Sequence, residues 1–138
     1  VFAFSIEGSH CRKFLFSFNF ARRTMNILVI DGQGGQLGAQ LVKEILSQFS
    51  EVDVMAIGTN AVATASMLKA GAKKAATGEN PVCVACRKAD VVIGPIGIVV
   101  ADSLFGEVTE KMALAVARTE AVRILIPMNK LTFDFYGC

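Results

Sequence analysis

Asp31-Gly32-Gln33-Gly34-Gly35-Gln36-Leu37-Gly38 is the stretch of this 138-residue chain whose residue types and spacing best suit chemistry. Leu37 stands where G-x-G-x-x-G counted from Gly32 needs its last glycine, but Gly32, Gly35 and Gly38 fit G-x-x-G-x-x-G. Each glycine then has a physical role. Gly32 permits a sharp turn off a strand, Gly35 lets backbone approach a phosphate, and Gly38 allows a helix to pack closely on that strand. The helix that follows offers free N–H groups and a partial positive charge to an anion. A side chain at Gly35 is therefore expected to block the anion while leaving the fold intact. No lysine follows in the Walker pattern, which excludes a P-loop nucleotidase. Asp31 is a weak candidate for an acid/base group or a magnesium ligand, and capping of the glycine loop is an equally open role. Gln33 occupies the place of the second aspartate in a phosphatase-type D-x-D motif.

Two further glycine-bearing blocks, Gly58-Thr59-Asn60 and Gly94-Pro95-Ile96-Gly97, follow apolar runs. If those runs are parallel strands, all three blocks meet at the carboxyl edge of one sheet, where open α/β sheets bind ligands. The candidate ligand residues are therefore Gly32, Gln33, Gly34, Gly35, Gly38, Gly58, Thr59, Asn60, Gly94, Pro95, Ile96 and Gly97. The expected ligand is small and phosphate-bearing, a dinucleotide or another nucleotide. NAD is not favoured, because Gly58-Thr59-Asn60 lacks the acidic residue that closes the second strand and holds a ribose. No arginine for a 2′-phosphate stands there either. The glycine spacing resembles that of the extended short-chain dehydrogenases, but their Tyr-x-x-x-Lys pair is missing, since Tyr136 is the only tyrosine and no lysine follows it. The same glycines also suit a tight strand–helix corner with no ligand.

Other chemistries are restricted. The only histidine is His10, so Ser-His-Asp and Cys-His arrangements are excluded from the body of the chain. Cys83-Val84-Ala85-Cys86 is a single C-x-x-C without the second pair that a four-ligand zinc site needs, and Cys11 and Cys138 lie near the chain ends. A structural, reduced pair is expected there and no metal site. Asp102, Glu107 and Glu110 read as solvated residues around a helix start.

The elements that must position these residues follow from hydrophobic patterning. With 53% hydrophobic and 19% charged residues and a mean hydropathy of +0.50, the chain suits a sheet buried on both faces. Residues 26–30, 52–57, 91–93 and 122–126 are short apolar runs rich in β-branched residues, with a weaker strand at 73–77. Leu37, Leu41, Ile45 and Val42, Leu46, Phe49 recur at helical spacing over 36–49. Asn60 suits a helix cap and Gly71 the left-handed position that closes that helix. Asn80-Pro81 reads as a cap and first turn for a helix to about Lys88, and 109–119 reads as another helix. Leu131 to Tyr136 alternates like an edge strand. Strands alternating with helices predict an α/β, Rossmann-like open sheet, mainly parallel, of about five strands with helices on both faces.

Residues 1–24 differ from the rest. They carry a net charge of +3 against −1 for residues 25–138, and six of the ten phenylalanines. A nearly neutral body argues against nucleic-acid binding. No run reaches the roughly 18–20 apolar residues of a membrane span. Arg12 and Lys13 precede an apolar stretch, but Ser17 and Asn19 interrupt it, and Arg22-Arg23 stand where a signal peptide would be cleaved. Phe14, Phe16, Phe18 and Phe20 alternate as one face of a strand would. The preferred reading makes 1–24 an extension outside the native domain, with Met25 the natural start and 25–138 a single domain, its C-terminus open to truncation.

The segments MNILVIDGQGG, GTNAVATASMLKAGA, ATGEN, DVVIGPIGIVVA, GEVTEKMA and ILIPMN give residues 25–130 a resemblance to the bacterial family called domain of unknown function 3842. The resemblance implies a Rossmann-like cytoplasmic protein and brings no substrate with it. Gln36 departs from an expected glycine, the C-x-x-C is outside the pattern, and the likeness fades after Lys130. Two functions follow as expectations: a nucleotide-binding protein, or a non-catalytic regulatory or interaction module acting as a homo-oligomer.

Overall fold

A computed structural model of the chain describes Phe2–Ala3 and residues 23–128. In chain order the elements are β1 (Phe2–Ala3), β2 (Met25–Asp31), α1 (Gln36–Gln48), β3 (Val52–Gly58), α2 (Ala61–Lys69), β4 (Lys74–Thr77), α3 (Glu79–Cys86), β5 (Val91–Pro95), a 3-10 turn (Ile96–Val99), α4 (Glu110–Arg118) and β6 (Val122–Ile126). The described strands make one sheet in the order β1-β6-β5-β2-β3-β4, and every pairing is parallel. From Met25 onward the described strands follow the first five positions of the Rossmann order 3-2-1-4-5-6, so the direction of winding reverses between β2 and β5. The fold is α/β and Rossmann-like.

β2 and β5 are central because their sequences allow no wet face. Ile27, Leu28, Val29 and Ile30 are all at most 2% exposed, and each such aliphatic side chain contributes about 1.5–3 kcal/mol through burial. Alternate residues feed two cores. Ile27 and Val29 meet Leu41, Val42 and Ile45 of α1 and Met67 of α2 on one side. Leu28 and Ile30 meet Val82 of α3 and Met112 and Val116 of α4 on the other. The register of β2 on β3 sets Asp31 opposite Gly58, which brings the first two glycine blocks side by side.

Side-chain caps explain two of the four described α-helix starts. The Asn60 side chain accepts the Ala63 N–H at 2.9 Å, Thr109 accepts that of Met112 at 3.2 Å, and Gly71 follows α2 with φ 118°. α3 departs from expectation. It starts at Glu79 with Gly78 as the residue before it, so Asn80 lies inside the first turn and does not cap. Gly94 and Pro95 also differ, being buried residues of β5 and not of the loop beyond it. The strands expected at Phe14–Phe20 and Leu131–Tyr136 lie outside the described residues. No helix among the described residues is long and apolar enough to cross a membrane.

Candidate functional site

The glycine turn is built around Asp31, the last residue of β2. Its carboxylate is 5% exposed and accepts the Gly32 N–H at 2.8 Å and the Gly38 N–H at 2.6 Å. One side chain thereby closes both ends of the turn and takes up a donor from the start of α1. Burial raises the Asp31 pKa above the usual carboxylate value; the two backbone donors work against that rise, and the nearby Glu107 adds to it. With both oxygens committed to its own backbone, Asp31 orients the loop. Gly38 is a glycine because a Cβ there would lie 2.6 Å from Met67 Sδ and 2.7 Å from Asp31 Cβ.

A second carboxylate lies on the turn, and its sequence position gave no sign of it. Glu107 Oε2 accepts the Gln33 N–H at 2.7 Å and the Thr59 hydroxyl at 2.7 Å. Its Oε1 accepts Asn60 Nδ2 at 3.0 Å, and the same amide group donates to the Gln33 carbonyl at 2.9 Å. Glu107, expected to be a solvated residue before a helix, instead ties the first two glycine blocks together. Asp102 and Glu110 are exposed as expected. The acidic group missing from the end of the second strand in sequence is thus present there in space. It comes from a residue 48 positions after Thr59.

Glu107 is carried on a segment that runs from the 3-10 turn to α4 across the carboxyl edge. Within it Asp102, Leu104, Phe105 and Gly106 have φ between 55° and 82°, the left-handed region. For non-glycine residues that conformation costs on the order of 1 kcal/mol each and needs surrounding contacts to persist. Those contacts are local bonds and the site itself. The Asp102 N–H donates to the Val108 carbonyl at 2.8 Å and the Glu107 N–H to the Leu104 carbonyl at 3.1 Å. The Leu104 side chain covers Gly32 and reaches Gly97, while Ser103 donates to the Gly97 carbonyl. The third glycine block therefore joins the site indirectly, beneath this segment. Phe105 at its tip is 83% exposed.

The expected roles of the glycines need correcting in one place. Gly35 has φ 69°, and a Cβ there would lie 2.6 Å from the Cα and 2.7 Å from the carbonyl oxygen of Ala63. Its glycine is demanded by α2, so a side chain at Gly35 damages the fold itself. Gly34 is exposed, and its carbonyl accepts the Ser66 hydroxyl at 2.8 Å. No group of three or more His, Cys, Asp or Glu among the described residues is arranged to hold a metal.

A groove of about 870 Å³ lies far from these loops, between α3, α4 and the amino ends of β5 and β6. Cys83 and Cys86 line it as free thiols, with Arg87, Lys111, Leu114 and Arg118. Burial, followed by the proximity of Cys83, pushes the Cys86 thiol up to about 11, the opposite of an activated nucleophile. The C-x-x-C thus lies outside the glycine site.

No curated protein matches the chain. A family model described as Domain of unknown function (DUF3842) matches residues 26–138. The match runs to the last residue, so the expected loss of family character after Lys130 does not hold. All of β2 but Met25, the strands β3 to β6, the glycine turn and Glu107 fall inside the matched segment, and the chain belongs to the DUF3842 family.

Proposed function

We propose that the protein binds a nucleotide or another phosphate-bearing ligand at the carboxyl edge of β2 and β3. The observation that carries this reading is the convergence of the Gln33 N–H, the Thr59 hydroxyl and the Asn60 amide on one carboxylate. Donors from two loops that hold one anionic group form a cradle suited to another. Its place beside the reversal of winding between β2 and β5 supports the same reading, since ligands of open parallel sheets gather there. A cytoplasmic location suits both such metabolites and the free thiols. The test is a thermal-shift panel of NAD, NADP, FAD, ATP, GTP, S-adenosylmethionine and inorganic pyrophosphate. A ligand at 100 times its Kd stabilises by about 2.7 kcal/mol, which raises the Tm measurably. A panel with no shift at millimolar concentration removes the reading.

A regulatory or interaction module working as a homo-oligomer is the second reading, favoured by Val62 (65% exposed) and Leu68 (47% exposed) on the outer side of α2. Light scattering decides it: Val62→Asp lowers the measured mass if α2 is buried between copies, and a monomeric parent protein ends the idea.

A further inference from the structure

Glu107 lies where an incoming anion would have to bind, which bears on how the cradle is controlled. We infer that residues 100–109 form a strap latched by Glu107 across the glycine turn, and that a ligand's phosphate binds by taking the place of the Glu107 carboxylate. The inference rests on the anion-cradle reading above and adds its regulation.

Space supports it first. A Cβ at Gly32 would lie 2.7 Å from Glu107 Oε2, from Leu104 Cδ1 and from Thr59 Oγ1. The approach to the turn is already filled by the strap, so phosphate and strap cannot share it. Charge gives the same answer. Asp31 is buried directly below, and a phosphate added beside both Asp31 and Glu107 would gather three anionic groups with little water between them. Binding and latching are therefore exclusive.

The latch is also built to be exchangeable. Its three donors are neutral, and no ion pair among the described residues includes Glu107. Replacing one anion by another leaves no cation unpaired and no donor unsatisfied. The strap's left-handed residues at 102, 104, 105 and 106 are held partly by this contact, so release lets the backbone return to commoner conformations. Each feature favours a closed state only slightly more stable than the open one, which a ligand can overcome by differential binding.

The chain has no tryptophan, so Phe105→Trp places a single reporter on the exposed tip of the strap. Inorganic pyrophosphate is titrated into this reporter protein and into the same protein carrying Glu107→Gln. The glutamine keeps the shape but turns an NH2 group toward donors, which breaks the latch. Pyrophosphate is expected to bind at least tenfold more tightly to the Glu107→Gln protein. Its tryptophan emission before any addition should match that of the pyrophosphate-saturated parent. Leu104→Ala loosens the strap without touching a cradle donor and should tighten binding in the same direction, which covers a Glu107→Gln protein that fails to fold. Equal affinity in all forms, with unchanged emission, overturns the latch and leaves the cradle standing. Absence of pyrophosphate binding in every form, with emission showing a freed strap, overturns the cradle reading and the inference with it.

Discussion

Two carboxylates hold backbone together at opposite edges of the sheet, and they do so differently. At the amino edge Asp90 accepts the Asn26 N–H at 2.9 Å and pairs with Arg23, while its own N–H and carbonyl bond Asn26 and Val122. It stands directly before β5 and links the starts of β2, β5 and β6. At the carboxyl edge Glu107 reaches the glycine turn from a strap, and among the described residues neutral donors alone receive it. A carboxylate set in the sheet frame beside a cation is part of the framework. One delivered by a loop to neutral dipoles is an occupant, and an occupant can be exchanged.

The sharpest way to break that comparison is to deform the cradle's frame. Gly35→Val forces a β-branched side chain into left-handed backbone and onto Ala63. A loss of about 3–5 kcal/mol is expected, read by urea denaturation or as insoluble expression. A stable Gly35→Val protein would mean that the carboxyl edge yields where the amino edge does not. The two carboxylates themselves come next. Asp90→Ala should cost about 2 kcal/mol, nearly all from the hydrogen bond to the Asn26 N–H, because the Arg23 side chain is largely exposed and its pair adds little. Glu107→Gln should cost less than about 1 kcal/mol, since the strap's strained backbone relaxes as the latch weakens. Equal losses in equilibrium unfolding would make both groups framework and erase the distinction.

The smallest effect concerns pH. The folded-state pKa of Asp31 is raised, chiefly by burial, so the native protein holds this proton more tightly than the unfolded chain does. Its contribution to stability is complete below the unfolded value and is lost as pH rises through the folded one, from about pH 4 upward. Asp31→Asn removes that dependence. Subtracting its unfolding free energies from those of the parent, measured across a pH series, should leave a difference that declines as pH rises. A difference that grows with pH would show that the backbone donors, and not burial, dominate at Asp31.

The sheet could be read from the sequence because strands buried on both faces are written as unbroken apolar runs, as at 26–30 and 122–126. The cap at Asn60 was legible because a side chain does the capping, whereas Thr109 reads as the first helical residue and proves to be the cap just before it. The helix start was not legible at Gly78, whose φ of 105° leaves no side-chain signal while Asn80-Pro81 offers a false one. Gly94 was misplaced because a glycine at a strand end resembles a turn, although it stands there to let the Ile30 carbonyl pass close by. Glu107 was hidden for a different reason. Its partners Gln33, Thr59 and Asn60 lie 47 to 74 residues away, and a charged residue before a helix looks solvated until the fold closes over it. Local pattern records what each segment does alone, while a contact between loops of three different crossovers exists only after the sheet has formed.

β4 carries a consequence for how copies of this protein can meet. Among the described strands it is the outermost on its side, four residues long, with exposed Lys74 at its start and exposed Lys73 just before it. Unpaired strand borders invite pairing with other chains, and shortness with lysine at the border is how proteins discourage it. Two molecules brought together along β4 would gain very few ladder bonds and would have to accommodate the exposed Lys73 and the Lys74–Asp53 ion pair at the border. Growth of the sheet from one molecule into the next is thereby disfavoured on this side, which leaves the β2–β3 end free to act without the border beside it being drawn into a fibre.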